Sequence, residues 1–228
     1  MRLETTSPID DATGAAIAEL LAADRVREAL GAATAAGATG LSLWVSDPTP
    51  AHDELARAAG LVHGRDIFQM RRPLPAEEPP PGFATRPFRV GQDEHAWLET
   101  NNRAFAGHDD QSGWDEARLT ARMAEPWFDP DGFRLHERDG RLAGFCWTKV
   151  HADHDPPLGE IHVIAVDPDF GGLGLGRALV LDGLAWLHRH GVEIGMLYVD
   201  ASNAPALALY RKLGFTVDHT DRGYYAPG

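Results

Sequence analysis

A run of glycines in the second half of the chain is the sequence feature with the clearest chemical use. It lies within Val166–Arg177 and contains Gly171, Gly172, Gly174 and Gly176. Glycine removes the side chains that would hold a ligand away from the backbone. The N–H groups of such a loop, and the first N–H groups of a helix behind it, can converge on one anion. The run therefore predicts a site for a phosphate-bearing ligand.

The neighbouring sequence supplies the elements that would position this loop. Apolar residues at Ile161–Val166 predict a strand before it, and the amphipathic stretch Arg177–His190 predicts a helix after it. A dinucleotide-binding loop is one candidate, with Asp200 as a possible ribose ligand, but the third glycine of its spacing is absent. An ATP-binding loop would need a lysine, which the run lacks. An acyl-CoA loop is the remaining candidate.

Two motifs in the correct order favour this third class. Val166, Pro168, Gly174 and Gly176 resemble the signature of the GCN5-related N-acetyltransferases, although Gly171 occupies the usual Arg or Gln position. Downstream, Asn203, Ala206, Tyr210 and Gly214-Phe215 resemble the family's CoA-flanking helix. The resemblance implies an α/β (α+β) GNAT fold, a mixed and mostly antiparallel sheet flanked by helices, with acetyl-CoA as co-substrate.

Further segments, including 101–108, 127–132, 144–151 and 197–199, resemble the mycothiol synthases within that superfamily. This resemblance covers essentially Leu41 to Tyr224. It implies acetyl transfer to the cysteinyl amine of a cysteine–glucosamine–inositol conjugate, the last step of mycothiol synthesis. It also implies two tandem GNAT domains, of which the first would here be partial. Another small amine, a protein N-terminus, or a non-catalytic acyl-CoA-binding regulator remain as alternatives.

Amide formation from a thioester needs an unprotonated amine, a stabilised oxyanion and protonation of the leaving thiolate. Glu160 is the candidate general base, acting through water, and Tyr210 is the candidate general acid. The resemblance implies substrate contacts for Asp110, Lys149, Glu160 and Tyr198, of which Asp110 replaces a family Glu. The residues expected to bind acetyl-CoA are Ile164, Ala165, Val166, Gly171, Gly172, Leu173, Gly174, Leu175, Gly176, Arg177 and Asn203.

Each assignment has a structural alternative. Glu160 could be a solvent-exposed strand-edge carboxylate, Tyr210 a core tyrosine, and Lys149 a surface lysine. His151, Asp153, His154 and Asp155 contain metal-ligand types, but they predict a solvated polar loop because no second cluster fixes them and the chemistry needs no metal. We therefore expect no metal.

Composition limits the partners. A formal net charge of -13 argues against a nucleic-acid surface and permits a cationic amine substrate. The single cysteine, Cys146, excludes an internal disulfide and predicts a buried apolar role. No apolar run reaches the roughly 18 residues of a membrane span, and the N-terminus lacks a signal-peptide core. We expect a cytoplasmic monomer with a small-molecule amine as partner, without nucleic acid or membrane.

A proline-rich stretch at 73–82 predicts a linker between a degenerate half-domain, 1–72, and a catalytic domain, 83–228. In the half-domain, Leu41–Val45, a helix and Ala59–Leu61 resemble a later segment, Gly195–Val199, a helix and Leu213–Phe215. The half-domain is predicted to contain helix 14–36, strand 41–46, helix 51–59 and strand 62–71. The catalytic domain is predicted to contain strand 85–90, helices 92–105 and 114–124, strands 133–137, 142–151 and 159–166, helix 174–190, strand 194–200, helix 204–213 and a hairpin at 215–225.

Overall fold

The computed structural model describes residues 2–4, 23–37, 40–77, 82–107 and 111–226. The chain divides into two compact units, which are not continuous in sequence. The first unit comprises 1–70, 198–208 and 217–228, and the second comprises 71–197 and 209–216. The predicted domain boundary at 73–82 divides the sequence into two continuous segments, whereas each of these units combines separate stretches of the chain. The predicted boundary stays a proposal.

In the first unit, the strand order is β1-β2-β9-β3. Its elements are β1 (Arg2–Glu4), α1 (Ala23–Ala35), β2 (Ser42–Ser46), α2 (Pro50–Ala58), and most of β3 (Val62–Pro73) and β9 (Thr216–Tyr225). The sequence of α2 explains where this helix begins, because Pro50 occupies its first turn and Thr49 forms a capping box with His52. A small core packs α1 and α2 on this sheet, made by Val26, Leu43, Val45, Ala56, Ala59, Leu61 and Tyr224.

The predicted hairpin at 215–225 is wrong, because β9 is one uninterrupted strand. It pairs antiparallel with β2, from Ser42 opposite Tyr225 to Ser46 opposite Asp221. Gly223 lies within this strand opposite Trp44, and a Cβ at this position would lie 2.9 Å from the Tyr225 hydroxyl and 3.1 Å from the Trp44 indole ring. This glycine makes room for a neighbouring aromatic ring within a strand. The first nine residues of the predicted helix 14–36 lie outside the described residues.

In the second unit, the strand order is β8-β7-β6-β5-β4. Its elements are β4 (Arg86–Pro87), α3 (Glu94–Ala104), α4 (Glu116–Met123), β5 (Phe133–Arg138), β6 (Arg141–His151), β7 (Leu158–Val166), α5 (Leu175–Arg189), part of β8 (Ile194–Asp200) and the end of α6 (Ala204–Lys212). β4 is thus much shorter than the predicted strand 85–90. The three pairs β4–β5, β5–β6 and β6–β7 are antiparallel, whereas β7–β8 is parallel.

Local sequence explains the β5–β6 connection. Asp139 and Gly140 have φ values of 52° and 72°, which is the left-handed geometry of a two-residue hairpin turn. Helix α5 packs on β6 and β7, and α3 packs on the same two strands. An aromatic core lies in this unit, in which Trp147 stacks on Phe133 with ring centroids 4.3 Å apart. No helix in the described part of the chain is both long and apolar enough to cross a membrane.

Candidate functional site

Contacts of Asp167 fix the first residues of the glycine loop at the end of β7. Strand β7 ends at Val166, and a short 3₁₀ helix, Pro168–Phe170, follows. The buried carboxylate of Asp167 accepts the N–H of Asp169 at 2.9 Å and pairs with the Arg103 guanidinium at 2.9 Å. Burial raises the pKa of Asp167, but the hydrogen bonds from Arg103 and the Asp169 N–H, together with the positive charges of Arg103 and Arg141, outweigh this effect and lower the pKa below its usual value. The ionised carboxylate therefore fixes the loop at the end of the strand.

Two glycines of the loop have backbone angles that other residues rarely adopt. Gly172 and Gly174 have φ values of 77° and 75°, and Gly174 is the N-cap of α5. Gly171 has φ −60° and does not need to be glycine on conformational grounds. Gly176 lies inside α5, where a Cβ would meet Leu209 at 3.8 Å, an ordinary contact. The conformational requirement thus falls on Gly172 and Gly174, whereas the sequence pattern pointed to Gly174 and Gly176.

The loop has the backbone donors that an anion would need. Among the described residues, no backbone carbonyl accepts a hydrogen bond from the N–H groups of Gly172, Leu173 or Gly174. Helix α5 begins without a side-chain cap, so its first N–H groups add to this set. The loop is exposed at 171–174, and the side chain of Arg177 is exposed in the first turn of α5. Unpaired N–H groups at a helix N-terminus are suited to a pyrophosphate.

Glu160 lies in β7, four residues before Ile164, and is buried rather than exposed at a strand edge. Both of its carboxylate oxygens are engaged. Oε2 lies 2.6 Å from His151 Nε2, and Oε1 lies 3.0 Å from His162 Nδ1. Burial would raise the pKa of Glu160, but the two imidazole hydrogen bonds prevail and lower it to about 2. Glu160 is therefore a carboxylate anion across the neutral pH range.

His162 occupies an irregular position in β7. Trp147 pairs with Val163 and Thr148 with Ile161, so His162 is the extra residue of a β-bulge. Its ring lies edge-on to two indoles, 5.0 Å from Trp127 and 5.6 Å from Trp147 between centroids. These contacts and the hydrogen bond to Glu160 fix the orientation of the imidazole.

Lys149 shares this region, as the sequence predicts. It is the direct cross-strand partner of Glu160, and its ammonium lies 4.9 Å from the centre of the Trp127 ring. Its side chain is half-buried rather than freely solvated. The structure thus brings a cation, an anion, two imidazoles and an indole together on β6, β7 and the segment before β5. This combination can bind a polar, cationic acceptor.

Tyr210 lies on α6, with its ring buried and packed at 5.9 Å from Phe215. Burial, with a smaller contribution from Cys146, raises the pKa of Tyr210 to about 12. The phenol is therefore a hydrogen-bond donor at neutral pH. The neighbouring Leu209 lies near Gly176, where α6 approaches the start of α5.

The other predicted site residues are distributed as follows. In the first unit, Tyr198 is exposed and its hydroxyl oxygen accepts a 2.7 Å hydrogen bond from the buried Gln69 amide. Asn203 caps α6 by accepting the N–H of Ala206 at 3.2 Å. Ile164, Ala165 and Val166 are the last three residues of β7 in the second unit. Asp110 lies outside the described residues.

Two residue types that often carry reactivity have other environments here. Cys146 is fully buried in β6, and burial strongly raises the pKa of its thiol, which agrees with the predicted apolar role.

His151, Asp153 and His154 bring their potential ligand atoms within 4.8 Å of one another. Asp153 and His154 are exposed. The expectation that the protein uses no metal stays a prediction.

Sequence reasoning missed the two imidazoles and the indole around Glu160. One signal was present, since Glu160 and His162 are two residues apart in a predicted strand and such residues share a face. The contact with His151 had no local signal, because it depends on the β6–β7 register. Trp127 precedes β5 in a segment without a strand or helix pattern.

The chain is similar in sequence to known proteins over most of its length. Residues 92–215 match the family described as acetyltransferase (GNAT) family. The chain is 50% identical over 187 residues to a protein of Thermobispora bispora named mycothiol acetyltransferase, covering 79% of this chain and 63% of that protein. A protein of the same name from Thermomonospora curvata is 50% identical over 192 residues, covering 82% of this chain and 64% of the relative. The chain therefore spans less than two thirds of the length of these curated relatives.

A solved structure shares the fold. It is a GCN5-related N-acetyltransferase from Sphaerobacter thermophilus, with a TM-score of 0.67 and 27% sequence identity. The match covers 82% of this chain and 60% of the other. The mixed sheet, the flanking helices and the glycine loop at the end of β7 are thus those of a GNAT fold, as the sequence predicts.

Proposed function

Because this chain belongs to the acetyltransferase (GNAT) family, we propose that it transfers an acetyl group from acetyl-CoA to the cysteinyl amine of desacetylmycothiol, the cysteinyl-glucosaminyl-inositol conjugate. This reaction is the last step of mycothiol synthesis. The observation that carries the proposal is 50% identity over about four fifths of the chain to relatives named mycothiol acetyltransferase. The proposed location is the cytoplasm and the proposed state is a monomer.

The loop geometry supports acetyl-CoA as the donor. The N–H groups of Gly172 and Gly174 and those of the first turn of α5 would bind the pyrophosphate. Leu173 and Leu175 fall in the same segment, and Asn203 would lie along the CoA arm. A backbone N–H within Ile164–Val166 would donate to the oxyanion that develops on the thioester carbonyl.

The surroundings of Glu160 support an amine as the acceptor. A buried carboxylate with a pKa of about 2 stays ionised and attracts an ammonium group strongly. Lys149 would contact the polar part of the acceptor, and the phenol of Tyr198 would bond a sugar or inositol hydroxyl. Asp110 is the fourth proposed contact. The acidic character of the whole chain, with a formal net charge of -13, also favours a cationic substrate.

Tyr210 supports the departure of the leaving group. A phenol with a pKa of about 12 stays protonated at neutral pH and can donate a hydrogen bond to the developing CoA thiolate. A thiol has a pKa of about 8.5 in model compounds, so the stabilisation consists mainly of hydrogen bonding, followed by proton transfer as the sulfur departs. Glu160 would hold the acceptor ammonium, which must lose a proton before it attacks the thioester.

The direct test is a thiol-release assay with acetyl-CoA, with and without desacetylmycothiol. We expect CoA release that depends on the acceptor, and a product with the acetyl group on the cysteinyl nitrogen by mass spectrometry. The matched control substrate is the glucosaminyl-inositol without cysteine, which should give no release.

Two other outcomes would overturn the substrate assignment. Turnover of a different small amine or of a peptide N-terminus, but not of desacetylmycothiol, would keep the chemistry and change the acceptor. Tight acetyl-CoA binding without release to any amine would indicate a binding protein, an alternative that Gly171 in the usual Arg or Gln position favours.

A further inference from the structure

Glu160 stays ionised at neutral pH, which makes it a poor proton acceptor for the acceptor ammonium. A carboxylate whose pKa is about 2 attracts a positive charge but is a weak base near neutral pH. Burial and two hydrogen bonds leave both of its oxygens engaged. The group that receives the proton of the acceptor ammonium should titrate closer to neutral pH, and imidazole, with a pKa of about 6.5 in model peptides, meets this condition.

The carboxylate also fixes the tautomers of both imidazoles. An ionised carboxylate only accepts hydrogen bonds, so each histidine must direct an N–H toward it. His162 therefore carries its hydrogen on Nδ1 and has a basic lone pair on Nε2. His151 carries its hydrogen on Nε2 and has its lone pair on Nδ1. This arrangement is that of a histidine base oriented by an acid.

The position of His162 distinguishes it from His151. It lies on β7 itself, two residues or roughly 7 Å of extended strand before Ile164, where the thioester carbonyl is proposed to bind. The bulge at this residue breaks the regular ladder, and bulges re-aim side chains. His151 lies on β6 opposite Leu158, at the end of the β6–β7 pairing that is remote from Ile164.

We propose that His162 Nε2 is the base that removes the proton from the acceptor ammonium, and that Glu160 positions His162 and stabilises its protonated form. This inference rests on the proposed acetyl transfer and names its proton acceptor. His151 then serves as a positioning residue, because it holds the second carboxylate oxygen. Trp127 and Trp147 both contact the imidazole ring edge-on and restrict its orientation.

The protons balance in the following way. The ammonium loses one proton to His162 Nε2, and the free amine forms the C–N bond to the thioester carbon. The C–S bond then breaks with the electron pair on sulfur. The remaining excess proton of the new amide nitrogen neutralises the thiolate, toward which Tyr210 donates its hydrogen bond. His162 finally releases its proton to solvent, so acetyl-CoA and an ammonium give amide, CoA thiol and one proton.

Several charged or titratable groups lie in the surroundings of His162. Glu160 on the same strand contacts it directly. On β6, His151 acts through Glu160, and the Lys149 ammonium lies over Trp127, whose ring contacts His162. His154, between β6 and β7, lies near the His151 ring at 6.0 Å.

The decisive variant is His162→Gln, because glutamine retains an N–H donor for Glu160 but has no basic nitrogen. We expect kcat to fall on the order of 100-fold or more, with the KM for acetyl-CoA little changed. The acidic limb of the kcat profile that belongs to the imidazole should disappear. The matched control is His95→Gln, at an exposed position on α3, which should leave kcat and its pH profile unchanged.

Glu160→Gln separates positioning from direct proton transfer. If Glu160 acts through His162, kcat falls in this variant but the acidic limb that belongs to the imidazole is retained, because the base itself is still present. A His162→Gln enzyme that keeps its acidic limb, together with a Glu160→Gln enzyme without turnover, would overturn the proposal and identify Glu160 as the base.

A measurement without turnover tests the same geometry. Long-range ¹H–¹⁵N spectra of histidine rings in the intact protein should show His162 as the Nδ1–H tautomer above its titration. The opposite tautomer would overturn the proposal even in an active enzyme. Conversely, this tautomer in a protein that does not acetylate desacetylmycothiol would leave the geometry in place and refute only the proposed substrate.

Discussion

Two segments of the molecule share one backbone plan but differ in the side chains that could do chemistry. The first is β2–α2–β3, and the second is β8–α6–β9. Each consists of a strand, a nine-residue helix, a glycine turn and a strand, and the sequences align without gaps. The two segments thus share their local structure, whereas the predicted repeat of a degenerate half-domain stays a proposal.

The turns after the two helices agree in detail. In the first segment, the N–H of Leu61 donates to Ala56 at 2.9 Å and that of Gly60 to Arg57 at 3.0 Å. In the second segment, Phe215 donates to Tyr210 and Gly214 to Arg211, both at 3.0 Å. Gly60 and Gly214 have φ values of 84° and 78°. Both helices therefore end in the same left-handed glycine cap.

The aligned side chains differ at two positions for which roles in acetyl transfer are proposed. Ala56 aligns with Tyr210, so the first segment has no phenol for a leaving thiolate. Trp44 aligns with Tyr198 and also lacks a hydroxyl. The two segments thus have the same helix cap and the same local backbone, but only the second has the hydroxyl groups that the proposed acetyl transfer would use.

The largest expected effect comes from removing the Tyr210 hydroxyl, a group that the first segment lacks because Ala56 occupies the aligned position. Tyr210→Phe removes only the hydroxyl, so kcat should fall on the order of 100-fold with little change in the Kd of acetyl-CoA. Steady-state kinetics and calorimetric titration measure the two quantities. Tyr225→Phe, on β9, is the matched control and should retain full turnover. Equal losses of kcat and acetyl-CoA affinity would contradict the role of Tyr210 as general acid.

A second comparison tests whether the two glycine caps are energetically equivalent. Gly60→Ala and Gly214→Ala should each lower the free energy of unfolding by about 1–2 kcal/mol, because alanine is strained at positive φ. A Cβ at Gly60 would meet no atom of the described residues within 4 Å, and one at Gly214 only Arg72 at 3.7 Å, so backbone strain should dominate both. Urea unfolding measures the effect.

The control for this pair is Gly31→Ala, in the middle of α1, where the added methyl meets nothing within 4 Å among the described residues. It should raise the free energy of unfolding by up to about 1 kcal/mol, because alanine is the better helix former. A much larger loss at one cap than at the other would show that the two turns are alike in geometry but not in energy.

The smallest expected effect concerns Gly171 in the glycine loop before α5; the first segment has no such loop. Gly171 has ordinary extended backbone angles, and a Cβ there would lie 3.3 Å from the Pro168 carbonyl oxygen, so a side chain fits with a slight adjustment. Gly171→Gln should lower the Kd of acetyl-CoA a few-fold, by one added hydrogen bond of about 1 kcal/mol. Calorimetric titration measures this. An unchanged Kd would mean that this position does not reach the pyrophosphate.

Much of the fold could be predicted from short-range patterns in the sequence. The strand–loop–helix around Gly172 and Gly174, the Asp139-Gly140 hairpin and the caps at Gly60 and Gly214 each depend on a few consecutive residues. Their physical cause is local, since backbone sterics and helix capping act over one turn. The glycine loop and Tyr210 could be recognised as candidates for the same reason, because each belongs to a short motif with fixed spacing.

Only the tertiary structure decided how Glu160 is surrounded. Its contacts with His151 and His162 depend on the β6–β7 register and on a bulge, and register is set by which side chains are buried on each face. The unbroken course of β9 was decided in the same way, by pairing with β2 and by the space that Gly223 leaves for Trp44. Such contacts are long-range, so the sequence determined the parts of the site but not the charge state of its central carboxylate.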